Sequence, residues 1–124
     1  MKYLLDVNLL IAAIWSTHID HPKADAWITG KALATCPISE LGFLRISTHP
    51  KALNCTMEGA RTLLDDFLSK HAVEFVSSDL PALISRASKS DEVTDLYLAD
   101  LASAKGMKLA TLDTGITHLS IEIV

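Results

Sequence analysis

The chain has 124 residues, 49% of them hydrophobic, which is enough to bury one core and suits a single domain over residues 1–124. Fifteen acids against 11 Lys and Arg give a net charge of −4, so the fold as a whole is no magnet for polyanions, and binding one needs local cations or a bound metal. The two cysteines, Cys36 and Cys55, lack CxxC spacing and fit free thiols in a reducing compartment better than a disulfide.

In chain order, Lys2 to Leu5 predicts a short buried strand that delivers Asp6 at its carboxyl end. Val7 to Trp15 predicts a helix. Its apolar run follows Asp6 and Asn8 rather than a basic stretch and falls short of the ~18 residues that cross a bilayer, so no membrane contact is expected. The sequence reads as soluble and cytoplasmic. His21 to Leu33 predicts a second helix, with Pro22 in its first turn and Ala24, Trp27 and Ile28 on one stripe. Ala34 to Pro37 reads as a strand or extended piece. Ser39 is then expected to cap a helix carrying Glu40, Leu41, Leu44 and Arg45, which Thr48-His49-Pro50 ends. Thr56 caps an amphipathic helix that reaches Lys70. Val73 to Val76 is strand-like, Asp79 to Lys89 predicts a helix with Pro81 near its start, and Val93 to Lys105 predicts a helix closed by Gly106. Lys108 to Leu112 predicts a strand ending at Asp113, and Leu119 to Val124 a last one. The helices at Val7–Trp15 and Thr56–Lys70 carry more apolar residues than one small domain is expected to cover, which suggests an interface.

Strands alternating with helices imply an α/β fold whose mostly parallel sheet is covered on both faces. Ligands of such sheets bind beyond the carboxyl ends of the strands. Four acids sit in otherwise apolar segments: Asp6, Glu40, Asp95 and Asp113. Asp6 and Asp113 each follow a strand at that edge, and Glu40 and Asp95 lie in first turns of helices that can point there. A desolvated carboxylate needs a partner or a metal, and carboxylates without nearby His or Cys suit a hard cation such as Mg²⁺ or Mn²⁺. Taken singly, each acid also reads as a helix cap or a turn residue. Four independent caps, however, have no reason to converge on one edge. Asp95 and Asp100, five positions apart, diverge by about 140° around a helix. Asp95 shares its face with the small residues Ala99 and Ala102 and is preferred for the primary site, with Asp100 left at the rim or behind the residues that hold the ion.

Other features point to structure rather than chemistry. His18 and His21 flank a loop and have no second pair to complete a zinc site. Ser39 has no GxSxG context and no activating His. The five glycines never form a phosphate-cradling loop. Trp15 and Trp27 read as core or interface anchors.

The segments LLDVNLLIA at 4–12, CPISELGFLRIST at 36–48, VTDLYLADLA at 93–102 and ATLDTGI at 110–116 resemble those of PIN-domain nucleases, and more narrowly the VapC-type toxins of type II toxin–antitoxin pairs. With the intervening helices, the resemblance spans nearly the whole chain. It implies a PIN-like three-layer α/β/α fold in which Asp6, Glu40, Asp95 and Asp113 are the acidic quartet. Asp6, Asp95 and Asp113 would ligate Mg²⁺ or Mn²⁺, and Glu40 would hold or deprotonate water. Asn8 and Thr111 match polar positions beside the first and last acids, and Asp100 stands where the family more often has a small residue. Arg45, five residues after Glu40, suits either a contact to substrate phosphate or a solvated helix position. The implied function is a metal-dependent endoribonuclease that is toxic until a cognate antitoxin covers it, acting as a homodimer. The same carboxylates would also serve a DNase or phosphatase, because nothing in the sequence reports on a 2′-hydroxyl. A catalytically silent binding module would be expected to lack one of the four acids. A receiver domain would want paired acids at the first strand and a late Lys, which Asp6, Lys105 and Lys108 fit poorly.

Overall fold

A computed structural model describes residues 1–124. Five short strands, β1 (Lys2–Leu5), β2 (Ala32–Thr35), β3 (Glu74–Phe75), β4 (Lys108–Thr111) and β5 (Ile121–Ile123), form one sheet in the order β3-β2-β1-β4-β5. Every pairing is parallel. Parallel neighbours need crossovers, and helices supply most of them: α1 (Val7–Ile14), α2 (His21–Ile28), α3 (Pro37–Thr48), α4 (Met57–Lys70) and α5 (Val93–Ala104). The strand order turns back at β1, so the crevice where a parallel sheet binds its ligands opens between the carboxyl ends of β1 and β4.

Alternation along the strands divides the core in two. Leu5, Leu33 and Ala110 face α1 to α4, joined by Leu9, Leu10, Phe43, Leu64 and Phe67. Leu4, Ala34 and Leu109 face α5 with Leu98, Leu101 and Ala102. Burying an aliphatic side chain of this size contributes ~1.5–3 kcal/mol, and both layers are continuous.

Three boundaries differ from those expected. The helix begun at His21 stops at Ile28, because Gly30 takes φ +75° and reverses the chain; β2 therefore starts at Ala32 rather than Ala34. Pro37 is not extended but opens α3 at a position where a missing N–H is harmless, which makes Cys36 the N-cap in place of Ser39. Between Asp79 and Lys89 only Ala82–Ile84 forms a turn of 3₁₀ helix. Beyond Pro81 that segment has no apolar stripe to bury, and Leu83 is 99% exposed. Helices α1 and α4 bury Leu9 to Ala13 and Ala60, Leu64 and Phe67 within the chain, and leave Val7, Ile14, Leu63 and Leu68 half-buried and Met57 44% exposed.

Helix α3 is tied to the β1–α1 unit at both ends. Ser39 Oγ donates to Leu5 O at 2.7 Å, and Ser47 Oγ accepts from Trp15 Nε1 at 3.0 Å. Midway, Gly42 lets the two helices touch: a Cβ there would lie 2.5 Å from Val7 Cγ2 and 2.9 Å from Cγ1. Gly to Ala inside a helix ordinarily stabilises by ~1 kcal/mol. Here the contact reverses the sign, since Val7 is β-branched and cannot swing away freely. Gly42→Ala is expected to lower unfolding stability by ~1–3 kcal/mol in denaturant titration, and Val7→Ala in the same chain should recover most of the loss.

Candidate active site

The site begins at the end of β1. Asp6 N–H donates to Ala110 O at 3.0 Å, carrying the β1–β4 ladder one residue past the strand. Asp6 then caps α1, its Oδ1 accepting from Val7 N at 2.7 Å. Its Oδ2 accepts from Thr111 Oγ1 at 2.7 Å, and the residue is only 2% exposed. The capping explanation of Asp6 is thus correct for one oxygen and leaves the other to be explained.

Thr111, the last residue of β4, organises the far side. Its Oγ1 accepts from Asp113 N at 3.0 Å and from Asn8 Nδ2 at 3.2 Å, while Asn8 Oδ1 accepts from Leu112 N at 3.1 Å. Asp113 Oδ1 accepts from Gly115 N at 2.8 Å, turning the chain after β4. Asn8 and Thr111 therefore lock the exits of β1 and β4 together, so that Asp6 and Asp113 face each other's charge.

The third acid comes from α5. Ala99 and Ala102 are fully buried against the sheet, and this close approach sets Asp95, in the first turn, over the crevice. Desolvation pushes the Asp95 carboxyl up to about 6, with Asp6, Asp113 and Asp91 adding repulsion in that order. Asp6 is also held above its ordinary value. Desolvation outweighs its hydrogen bonds from Thr111 and Val7, and Asp113 raises it further. Glu40, half-buried in the first turn of α3, is raised by desolvation alone. Asp6, Asp95 and Asp113 add nothing to its shift.

Asp91 was missed in the sequence. It lies in the 3₁₀ turn Ser90–Glu92 that leads into α5, four residues before Asp95, and that spacing was the available signal. Asp100 points elsewhere. Its Oδ1 lies 2.9 Å from His118 Nε2, and His118 Nδ1 accepts from Ser120 N at 3.0 Å, which leaves the ring proton for Asp100. It fastens α5 to the segment between β4 and β5, a supporting position behind the acids, and the sequence reading does not single out His118 as its partner. Arg45 is exposed on α3 and lines a small cavity of about 250 Å³ with Val7, Ile38, Leu41, Gly42 and Thr94.

The four acids receive no cation from the chain. The ion pairs are Lys2–Glu74, Lys105–Asp79, Lys108–Glu122 and His118–Asp100. Nor do any three acidic, His or Cys side chains converge closely enough to hold an ion as they stand. The reason lies in the bonds just described: both Asp6 oxygens and Asp113 Oδ1 are engaged with the backbone or Thr111, and like charges stay apart. The arrangement concentrates negative charge at a desolvated edge and neutralises none of it.

The PIN domain family model matches residues 3–122. The chain belongs to the PIN-domain family. Within it, the chain is 36% identical to ribonuclease VapC38 of Mycobacterium tuberculosis, an alignment covering 94% of this chain and 89% of that protein. It is 34% identical to ribonuclease VapC44 of the same species, over 98% and 92% of the two chains. These place it in the VapC branch. Among solved structures, the complex of VapBC2 from Rickettsia felis with a promoter DNA fragment contains a chain of the same fold, with a TM-score of 0.66, 20% identity, and coverage of 100% of this chain and 99% of that one. No helix is long and apolar enough to cross a membrane.

A carboxyl held at about 6 when folded, against 3.8 when free, binds its proton more tightly in the native state. Its contribution therefore stabilises the native state at low pH and is lost as pH rises through that window. Allowing for the partial exposure of Asp95, the loss is about 1 kcal/mol. Metal-free wild type should lose that much stability between roughly pH 4 and 7 relative to Asp95→Asn, measured by urea unfolding in the presence of chelator. Equal pH slopes for the two chains would contradict the raised proton affinity of Asp95.

Proposed function

We propose that this chain is a divalent-metal-dependent endoribonuclease serving as the toxin of a toxin–antitoxin pair. The single observation that carries the reading is the uncompensated carboxylate trio Asp6, Asp95 and Asp113 at the β1–β4 crevice. Such a donor set fits a hard cation, Mg²⁺ or Mn²⁺. Asp95 is the readiest ligand, since it has no hydrogen-bond or ion-pair partner to give up. Asp6 and Asp113 would join it by relaxing bonds to Thr111 and Gly115. A cation bound there supplies positive charge at the attacked phosphate and acidifies water.

The chain's own groups do the rest. Thr111 and Asn8 hold the Asp6 and Asp113 carboxylates in register across the two strand ends. Glu40, half-buried and free of partners, has the raised proton affinity that suits accepting a proton from the attacking water at its carboxylate. The RNA substrate is the activity carried in the names of the VapC relatives. Inhibition follows from the same charge. An antitoxin segment bearing Arg or Lys would meet carboxylates that have no internal counter-ion, and a charge-assisted pair with them would displace the metal. The half-buried Val7, Ile14, Leu63 and Leu68 and the 44% exposed Met57 of α1 and α4 support a homodimer contact through those helices.

Three measurements test this reading. Mg²⁺ or Mn²⁺ should raise the melting temperature of wild type by several degrees and that of Asp6→Asn much less; equal responses would reject the metal site. Purified chain should cleave single-stranded RNA in Mg²⁺, not in EDTA, and leave the matching DNA intact, with Asp6→Ala, Glu40→Gln and Asp95→Asn each at least about 100-fold slower. Wild type should arrest growth of a bacterial host, and a folded Asp6→Ala chain should not.

A further inference from the structure

We propose that the exposed face of α3 and the turn after it form a phosphate-binding track, along which Arg45, His49 and Lys51 carry the backbone of a single-stranded RNA away from the acidic crevice. The proposal rests on the ribonuclease reading and names how its substrate lies.

The observations begin at the rim. The 250 Å³ cavity beside the acids is lined by Val7, Leu41 and Thr94, each the sequence neighbour of an acid, namely Asp6, Glu40 and Asp95. Arg45 closes the same cavity and also lines the next one, about 560 Å³, together with Ile46, His49, Lys51 and Ala52. The two hollows lie on successive turns of α3 and share Arg45 as a common wall. The steps from Glu40 to Arg45 and from Arg45 to His49 are about 7.5 and 6 Å along the helix axis.

Charge along the two hollows has one sign. No carboxylate lines either cavity, and none of Arg45, His49 and Lys51 enters an ion pair. In a chain of net charge −4 with an acidic crevice adjoining, two unpaired cations, Arg45 and Lys51, are a local reversal of the field. His49 Nδ1 accepts from the backbone N–H of Lys51 at 3.0 Å. That bond leaves the Nε2–H of His49 to donate to an outside acceptor between the two cations. The acids repel phosphate, so a strand whose scissile group sits at the crevice gains its affinity from cations placed just beyond, and these are the ones placed there. Backbone contacts of this kind orient a strand without reading its bases.

The test separates binding from cleavage. Affinity for a fluorescein-labelled single-stranded RNA would be measured by anisotropy on the Asp6→Asn chain across a KCl series at fixed Mg²⁺. Adding Arg45→Gln and Lys51→Gln should lower the magnitude of the log Kd against log salt slope by ~0.7 per lost contact, ~1.4 for the pair. The weakening should be by the same factor for RNAs of unrelated sequence. Lys108→Gln, at the amino end of β4 on the opposite sheet edge, should leave the slope unchanged. A slope unmoved by the double substitution, or moved equally by Lys108→Gln, overturns the track and leaves the patch to an acidic protein segment. Cleavage by wild type is scored separately: a chain that cleaves RNA while the slope stays put sinks only the track, and a chain that never cleaves sinks the proposed function.

Discussion

The hydrogen bond from Thr111 to Asp6 is the constraint on which the site depends, because it joins the ends of two strands that are remote in sequence and adjacent in the sheet. Asp6 is nearly inaccessible and accepts two short hydrogen bonds, yet its carboxyl is still pushed above the ordinary range, so desolvation exceeds what those bonds return. Hydrogen bonds to a charged group contribute ~1.5–3 kcal/mol each, which sets the scale of the penalty they fail to cancel. A carboxylate kept there weakens the fold. The fully buried Leu4, Leu5, Leu9 and Leu10 on either side of it provide the apolar burial that lets the fold tolerate it.

The other acids are positioned by packing, not by direct bonds to Asp6. Helix α5 reaches the sheet through alanines, which determines how far Asp95 stands from the strand ends. Helix α3 is located by two serine hydroxyls and one missing side chain, and the hydroxyl bonds supply ~1 kcal/mol each. Ser39, Phe43 and Ser47 recur every four residues and are all buried, which turns Leu41 and Arg45 outward. One helix thus carries the half-buried Glu40 in its first turn and turns a cation outward one turn further on. Close approach and polar anchoring give a stiffer alignment than apolar packing alone, since a slip of one residue would leave a buried hydroxyl unpaired.

Much of this was legible before any coordinates. Every strand was anticipated within a few residues, and the gathering of Asp6, Asp95 and Asp113 followed from strand ends and a helix N-terminus in a parallel sheet. What was not legible has physical reasons. Gly30 ended α2 early because a single positive φ outweighs the apolar stripe of Ala24, Trp27 and Ile28 continuing toward Leu33. Ser39 was assigned a local capping role, while its actual partner, Leu5 O, lies 34 residues away, and no local pattern encodes such a bond. The Asp79–Lys89 segment contains good helix formers, but a helix that buries nothing is marginal in water.

The two acids of α5 show how one helix can divide its charge between chemistry and architecture. Asp95 and Asp100 project ~140° apart. Asp95 meets only other acids and is destabilised. Asp100 meets His118 and is partnered. The His118 ring is held from its other nitrogen by the backbone of Ser120, so the pair bridges α5 to the chain that leaves β4 and enters β5. That chain begins with Asp113 and its Asx-type turn at Gly115. The same helix therefore presses Asp95 toward Asp113 on one side while Asp100 anchors the segment carrying Asp113 on the other. Repulsion at the crevice is opposed by the Asp100–His118 attachment, so the loop carrying Asp113 stays fixed to α5 while its carboxylate keeps its distance from the other acids.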